Sequence, residues 1–457
     1  MTPLWTAQAL RDATGGTLAA EPAITGVAID SRAVQPGDLF VALRDARDGH
    51  DFVPAALAQG AACAMVDHSV EGTPLLVVGD TLAGLAALGA AGRARSRARF
   101  VAITGSVGKT TTKDMLRHGL ESFGATHAAV ASYNNQWGLP LTLARMPEDA
   151  EYGVLEIGMN HRGEIAPLAR LAAPHAAVIT QVGAAHIGHL GSLDEIAAEK
   201  ADILVGLAPG GVAVLPRDSD FFAQLATRAA EAGATVLSFG EHAEADLRLL
   251  SADCGPLSST AEIALHGTRL SLSLGAPGRH LVLNALAATG GAMALGVDAA
   301  RFVQALAGFR PGAGRGARVS LPLAAGGSAL LLDESYNGQP PAMRAALAVL
   351  GSQHGARRIA VLGDMRELGE YGPALHAGLL PDVVGHADLV FCCGPLMRGL
   401  YEALPAGLRG AHAETSEALA PVVRDALRDG DVVLVKGSLG TRMAAVVGAL
   451  KSQGAHS

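Results

Sequence analysis

Phe100-Val-Ala-Ile-Thr-Gly-Ser-Val-Gly-Lys-Thr-Thr-Thr-Lys-Asp114 is the stretch on which the reading of this chain turns. Val101 to Ile103 is an apolar run of buried-strand character; it breaks at Gly105 and Gly108, and Met115, Leu116 and Leu120 then recur at helical spacing. A strand, a glycine loop and a helix in that order aim backbone N–H groups and a helix N-terminus at one spot, which favours phosphate oxygens. Lys109 adds a mobile positive charge for the terminal phosphates, and Thr110 a hydroxyl suited to Mg²⁺. The pattern is G-x-x-G-K-T. The longer G-x-x-x-x-G-K-[ST] is not met, because Ile103 stands where its first glycine would fall. A glycine turn before a helix can be purely structural, but the attached Lys-Thr and the strand ahead of it favour nucleotide binding.

Working outward, 457 residues predict about three domains. A hydrophobic fraction of 49% with 17% charged residues excludes a disordered chain and allows each domain a core. The formal charge of −8 argues against broad nucleic-acid binding, so an anionic ligand must be held by local groups. Cys63, Cys254, Cys392 and Cys393 show no C-x-x-C spacing, which speaks against zinc or a disulfide framework and for reduced thiols in a cytoplasmic protein. The first residues lack a basic, then apolar leader. Leu281 to Val297 is the longest nearly apolar run; with Asn284, Thr289 and three glycines it reads as a buried helix, not a membrane span.

Residues 1–97 open with a helical segment followed by short strands at Gly26–Asp30, Asp38–Ala42, Ala64–Val66 and Leu75–Val78. Arg93, Arg95, Arg97 and Arg99 alternate with small residues and read as a solvated linker. From 98 to 310, strands at Val154–Ile157, Ala177–Thr180 and Val212–Leu215 alternate with helices and imply a largely parallel sheet. From 311 to 457 a second α/β pattern has strands at Leu330–Leu332, Ile359–Leu362, Leu389–Phe391 and Val432–Val435, each ending in polar or glycine residues. Ligands of open parallel sheets bind beyond the carboxyl ends of strands, so this part presents its own binding edge, expected to face the glycine loop.

Three residues invite chemistry. Glu156 interrupts an apolar strand, where an unpaired carboxylate is costly to bury; a metal ion or an arginine would offset that cost. His186 follows the third strand of the central region, either a hydrogen-bonded loop histidine or a partner of Thr110 and Glu156 at one sheet edge. Ser192-Leu-Asp-Glu195 reads as a capping box, and Lys200 falls on the apolar stripe of the helix it opens, between Ile196 and Ile203. It is a snorkelling lysine, a buried partner of Glu199 or Asp202, or an amine that desolvation keeps neutral and open to modification. Tyr133-Asn-Asn-Gln-Trp-Gly-Leu-Pro140 is an amide-rich loop, a plain turn or a support for a polar substrate.

Together these motifs resemble the Mur ligase family over Asp30 to Ser438, nearly the whole chain. The resemblance implies an α/β protein of three domains, with a central P-loop ATPase domain and a Rossmann-like C-terminal domain. It makes Thr104, Gly105, Ser106, Val107, Gly108, Lys109, Thr110 and Thr111 the ATP loop, and Asn134 and Asn135 part of a substrate loop. Glu156-x-Gly158, Val182-Gly-x-x-His186 and Lys200 match the family's metal region, so Thr110, Glu156, His186 and Lys200 are implied ligands of two Mg²⁺ ions, Lys200 as a carbamate. Lys109, Glu156, His186 and Lys200 are the implied catalytic set. His280-x-x-x-Asn284 resembles the adenine-side motif, with Leu281 where Asn is usual; Arg315 and Asp333 resemble ATP contacts from the last domain. Gly338 to Met343 departs from the commoner Ala-Asn-Pro-x-Ser-Met.

Asp30, Ser31 and Arg32 with Pro36 to Leu43 resemble a uridine-diphosphate-binding domain. Leu362-Gly-Asp-Met-Arg-Glu-Leu-Gly369 resembles the dipeptide-adding branch, with Asp364 and Glu367 at the acceptor. The implied activity is ATP-dependent amide formation through an acyl phosphate, joining D-Ala-D-Ala to UDP-MurNAc-tripeptide in peptidoglycan precursor synthesis. A cytoplasmic monomer is expected, with no nucleic-acid partner. The competing readings are another amino-acid-adding enzyme of the same family, a folylpolyglutamate synthase-like enzyme and a non-catalytic nucleotide-binding scaffold.

Overall fold

The computed structural model describes residues 3–130, 132–324 and 326–452. Among the described residues three sheets organise the fold, of five, nine and six strands in chain order. In the first, Gly26–Ala28, Asp38–Val41, Cys63–Val66 and Leu75–Val77 run parallel, and Thr17–Leu18 adds an antiparallel edge. In the third, Ser328–Glu334, Val432–Lys436, Arg358–Gly363, Leu389–Cys393 and Arg409–Ala413 are parallel neighbours, closed on one side by the antiparallel Ala317–Pro322.

The nine-stranded sheet carries the glycine loop. Its first strand, Arg99–Thr104, lies between Tyr152–Glu156 and Ala176–Ile179, both parallel to it. Chain order reverses there, and the crevice at the carboxyl ends of such strands is where ligands bind. The sheet is largely parallel, as the strand and helix alternation implies. Beyond it lies an antiparallel wing of Leu247–Cys254, Ser259–Leu265 and Thr268–Leu274, which the sequence reading did not anticipate. Its last hairpin turns through His266 and Gly267, both at positive φ (46° and 84°). That is the two-residue turn whose twist matches paired strands. The uncharged run is the helix Arg279–Ala294, whose alanines and glycines pack on the sheet, Gly290 and Gly291 against Val214 and Val178. Among the described residues no helix is long and apolar enough to cross a membrane.

The arginine run is not a solvated linker. Arg93 and Arg95 close the helix Thr81–Arg95, and both are drawn into the seam between the first two domains. Arg95 stacks on the Trp5 ring at 3.9 Å and donates to Leu4 O and Met146 O. Arg93 stacks on Phe100 at 4.2 Å and donates to Ala172 O and Ala173 O. A guanidinium tolerates this because its flat face packs on an aromatic ring while its edge donates hydrogen bonds. Arg97 and Arg99 remain exposed. Trp5 itself donates to Ala144 O at 2.8 Å, and Leu141 and Ala144 of the central domain sit in the first domain's hydrophobic cluster.

Candidate active site

The loop after Thr104 is built from glycines that only glycine can supply. Gly105 and Gly108 hold φ of 152° and 85°, and a Cβ at Gly105 would stand 2.0 Å from Thr180 Oγ1. The Thr180 hydroxyl donates to Val107 O, and Ser106 Oγ exchanges hydrogen bonds with the backbone of Gly183, so the loop is tied to the strand end beside it. Thr104 lies buried beneath it. The helix Lys109–Leu120 then points its N-terminus at the crevice. Lys109 Nζ folds back onto Gly105 O at 2.6 Å, and burial lowers its pKa.

A cavity of about 690 Å³ opens beside the loop, within the range of small-molecule sites. The central domain lines it with Val107, Gly108, Thr111, His280 and Asn284, and the C-terminal domain with Arg315, Glu334 and Lys436. Asn284 packs against the loop at Gly108. Burial holds the His280 imidazole below its ordinary range. Arg315 stacks on Tyr336 at 4.2 Å and donates to Ser132 Oγ at 2.7 Å, so it joins the two domains.

Next to the loop, Glu156 ends its strand at 1% exposure. Its two oxygens accept from Thr110 Oγ1 and Asn134 Nδ2, each at 2.8 Å, and among the described residues no ion pair reaches it. A buried carboxylate and a hydroxyl, bonded only to neutral groups, form a hard-oxygen donor set that fits Mg²⁺. His186 Nδ1 stands 2.7 Å from Glu367 Oε2, with the ring N–H off the carboxylate direction. The His186 contact lowers the Glu367 pKa, and Lys109 adds to the effect.

Lys200 is 1% exposed, which excludes a snorkelling side chain. It forms no buried pair either: Glu199 accepts from Gly163 N and Ile165 N, and Asp202 pairs with Arg228. Among the described residues no hydrogen bond or ion pair ends on the Lys200 amine, while its carbonyl accepts from Asp202 N at the helix end. Burial, reinforced by the nearby Lys109 charge, holds its amine well below the ordinary lysine range. Ser192 caps the helix through the Glu195 N–H, as the capping box predicts.

Several residues fall elsewhere. Asn135 spends its side-chain oxygen on Trp137 N and Gly138 N, opening a helix. Asp364 is buried and caps Met397 N at 2.9 Å, so of the acceptor-loop pair only Glu367 faces the site. Asp333 does not line the cavity: it accepts from Ser335 and lies 3.7 Å from Lys451 Nζ. Neighbouring strand residues face opposite ways, and it is Glu334, bonded to Lys436 Nζ at 3.0 Å, that faces the cavity. Ser31 and Arg32 form a turn outside the cavity, with Arg32 forked onto Asp30 at 2.9 and 2.7 Å. The sequence reading passed over Ser132 and Glu334 and placed Lys436 only among the polar residues that end the C-terminal strands; Glu334 was visible as a charge at a strand end.

The chain matches the Mur ligase middle domain over residues 103–292, the Mur ligase glutamate ligase domain over 324–439 and the Mur ligase family catalytic domain over 23–90. It is 35% identical over 440 residues to the UDP-N-acetylmuramoyl-tripeptide--D-alanyl-D-alanine ligase of Synechocystis sp., covering 94% of this chain and 92% of that protein. The chain belongs to the Mur ligase family. An Escherichia coli ligase of the same name is 34% identical, with 97% of this chain and 98% of that protein covered. Among solved structures, MurF from Acinetobacter baumannii superposes with a TM-score of 0.86 at 31% identity, covering 98% and 99% of the two chains. The Thermotoga maritima MurF ligase in complex with ADP gives 0.77 at 26% identity over 94% and 97%. The three-domain architecture expected from the motifs is therefore that of Mur ligases.

Proposed function

We propose that this Mur ligase joins D-Ala-D-Ala to UDP-MurNAc-tripeptide at the expense of ATP, in peptidoglycan precursor synthesis. The observation that carries this reading is the meeting of Glu367, from the Leu362–Gly369 loop, with His186 beside the phosphate loop. The relatives of that activity match nearly the whole chain, which supports it further. ATP would lie in the cavity, its phosphates over the loop N–H groups and its base toward His280 and Asn284. Lys109 would leave Gly105 O for the terminal phosphates, and Arg315 would bring a second charge from the C-terminal domain. The tripeptide carboxylate attacks the γ-phosphorus and ADP leaves. The dipeptide amine then attacks the acyl carbon, phosphate departs, and the amine loses a proton.

Mg²⁺ would be held by Thr110 and Glu156, and by His186 with Lys200; when bound it neutralises charge on the phosphates. Lys200 is proposed to carry a carbamate: its neutral amine adds to CO₂ with loss of one proton, which turns an unpartnered buried amine into an oxygen donor. A carbamate resonance after incubation with ¹³C-bicarbonate, absent in Lys200→Met, would test this. The function itself is tested by incubation with ATP, Mg²⁺, UDP-MurNAc-tripeptide and D-Ala-D-Ala, reading product mass and phosphate release. Better use of D-Ala or diaminopimelate as acceptor would refute it.

A further inference from the structure

Two residues other than glycine hold left-handed backbone conformations at the seam between the central and C-terminal domains: His186 at φ 62° and Glu367 at φ 68°. Such conformations persist where surrounding structure enforces them, and they concentrate at functional sites. Here the two strained residues face each other, Nδ1 to Oε2 at 2.7 Å. Their loops are fastened at the same place. Gly188 N donates to Glu367 O at 3.1 Å, and the Tyr371 hydroxyl donates to Gly191 O at 3.0 Å. A Cβ on Gly188 would stand 2.5 Å from Gly369 N, so the backbones approach too closely for a side chain there. The carboxylate of one domain thus stands against Nδ1 of a histidine in the other, near enough that a small rotation of the ring completes the hydrogen bond, and Nε2 is then the nitrogen left for a ligand.

We infer that Glu367 is a positioning residue: reaching across the domain seam, it orients the His186 ring and so couples docking of the C-terminal domain to divalent-cation binding in the central domain. The inference rests on reading His186 as a metal ligand. A carboxylate on the second ring nitrogen fixes the ring and strengthens the ligating nitrogen, and its loss weakens metal affinity about 10–100-fold. Glu367 then serves the reaction through His186 and not by holding the acceptor amine.

The test is a Mn²⁺ titration of the full chain, with the free ion followed by electron paramagnetic resonance. It needs no substrate, so it reads the inference apart from the identity of the reaction. Glu367→Gln should weaken Mn²⁺ binding about tenfold or more, whereas Tyr371→Phe, which removes only the neighbouring contact to Gly191, should bind as the parent does. In turnover, the Glu367→Gln defect should be recovered by raising Mg²⁺ and not by raising the acceptor dipeptide. Unchanged Mn²⁺ affinity in Glu367→Gln, equal weakening in Tyr371→Phe, or recovery by acceptor alone would each overturn the inference. So would unchanged affinity in His186→Ala, which would refute the ligand reading beneath it.

Discussion

Replacing Glu156 by Gln should separate folding from function. The carboxylate is 1% exposed and accepts two hydrogen bonds of 2.8 Å, from Thr110 Oγ1 and Asn134 Nδ2. Bonds to a charged acceptor contribute about 1.5–3 kcal/mol and neutral ones about 0.5–1.5, so neutralising the acceptor forfeits about 1 kcal/mol per bond. Against that stands the desolvation of a buried carboxylate, about several kcal/mol, which an amide does not carry. The amide also keeps both bonds: its oxygen accepts from Asn134 and its N–H donates to the Thr110 hydroxyl. Glu156→Gln should therefore be about as stable as the parent, or up to ~2 kcal/mol more stable. Glu156→Ala removes the acceptor of half-buried Asn134 Nδ2 and leaves Thr110 Oγ1 only its 3.4 Å contact with Ser132 Oγ, and should cost about 2–4 kcal/mol. Both variants should lose roughly 100-fold or more in turnover, since a preorganised charge at the phosphoryl site is gone. The assay pairs thermal unfolding, with EDTA and with Mg²⁺, with substrate-dependent phosphate release. Three domains do not unfold as two states, so the quantity read is the shift of a transition between variants. Gln as destabilising as Ala, or a Gln variant with parental turnover, would refute the reasoning.

Lys109→Ala should keep the fold and lose roughly 100-fold or more in turnover, because the loop N–H groups remain while the charge does not; near-normal phosphate release would refute this. Lys200→Met in CO₂-free buffer at pH 7 should be more stable by about 1–3 kcal/mol, the cost of an unpartnered buried polar group, and inactive. Because the Lys200 pKa is lowered on folding, the unfolded chain binds the extra proton between the folded value and about 10.4. Parental stability should rise with pH across that window, a rise that Lys200→Met lacks; parallel stability-versus-pH curves would count against it. Arg95→Ala removes the Trp5 stack and the donors to Leu4 O and Met146 O. It should destabilise the seam between the first two domains by about 2–4 kcal/mol, seen as faster proteolysis near residue 96, and unchanged cleavage would show that the stack does not hold the seam.

Sequence alone determined what is encoded within a turn or a strand length. The glycine loop of Phe100–Asp114 was legible because glycine spacing and apolar period act over a few residues. Lys200 was legible for the same reason, since a period of 3.6 places it on the buried stripe whatever lies opposite. Which of its three fates it takes was not, because that depended on Glu199 and Asp202 being engaged by Gly163, Ile165 and Arg228. Only tertiary structure decided that Arg93 and Arg95 leave solvent, since the Phe100 and Trp5 rings and the carbonyls that receive them come from other elements. It also decided that Glu334, not Asp333, faces the cavity, because strand alternation fixes that two residues face oppositely but not which face meets the central domain. The pairing of His186 with Glu367 belongs to the same class. Local conformation follows from backbone sterics and side-chain period along the chain, whereas partnership between distant segments follows from how domains pack, and a linear pattern carries no term for that distance.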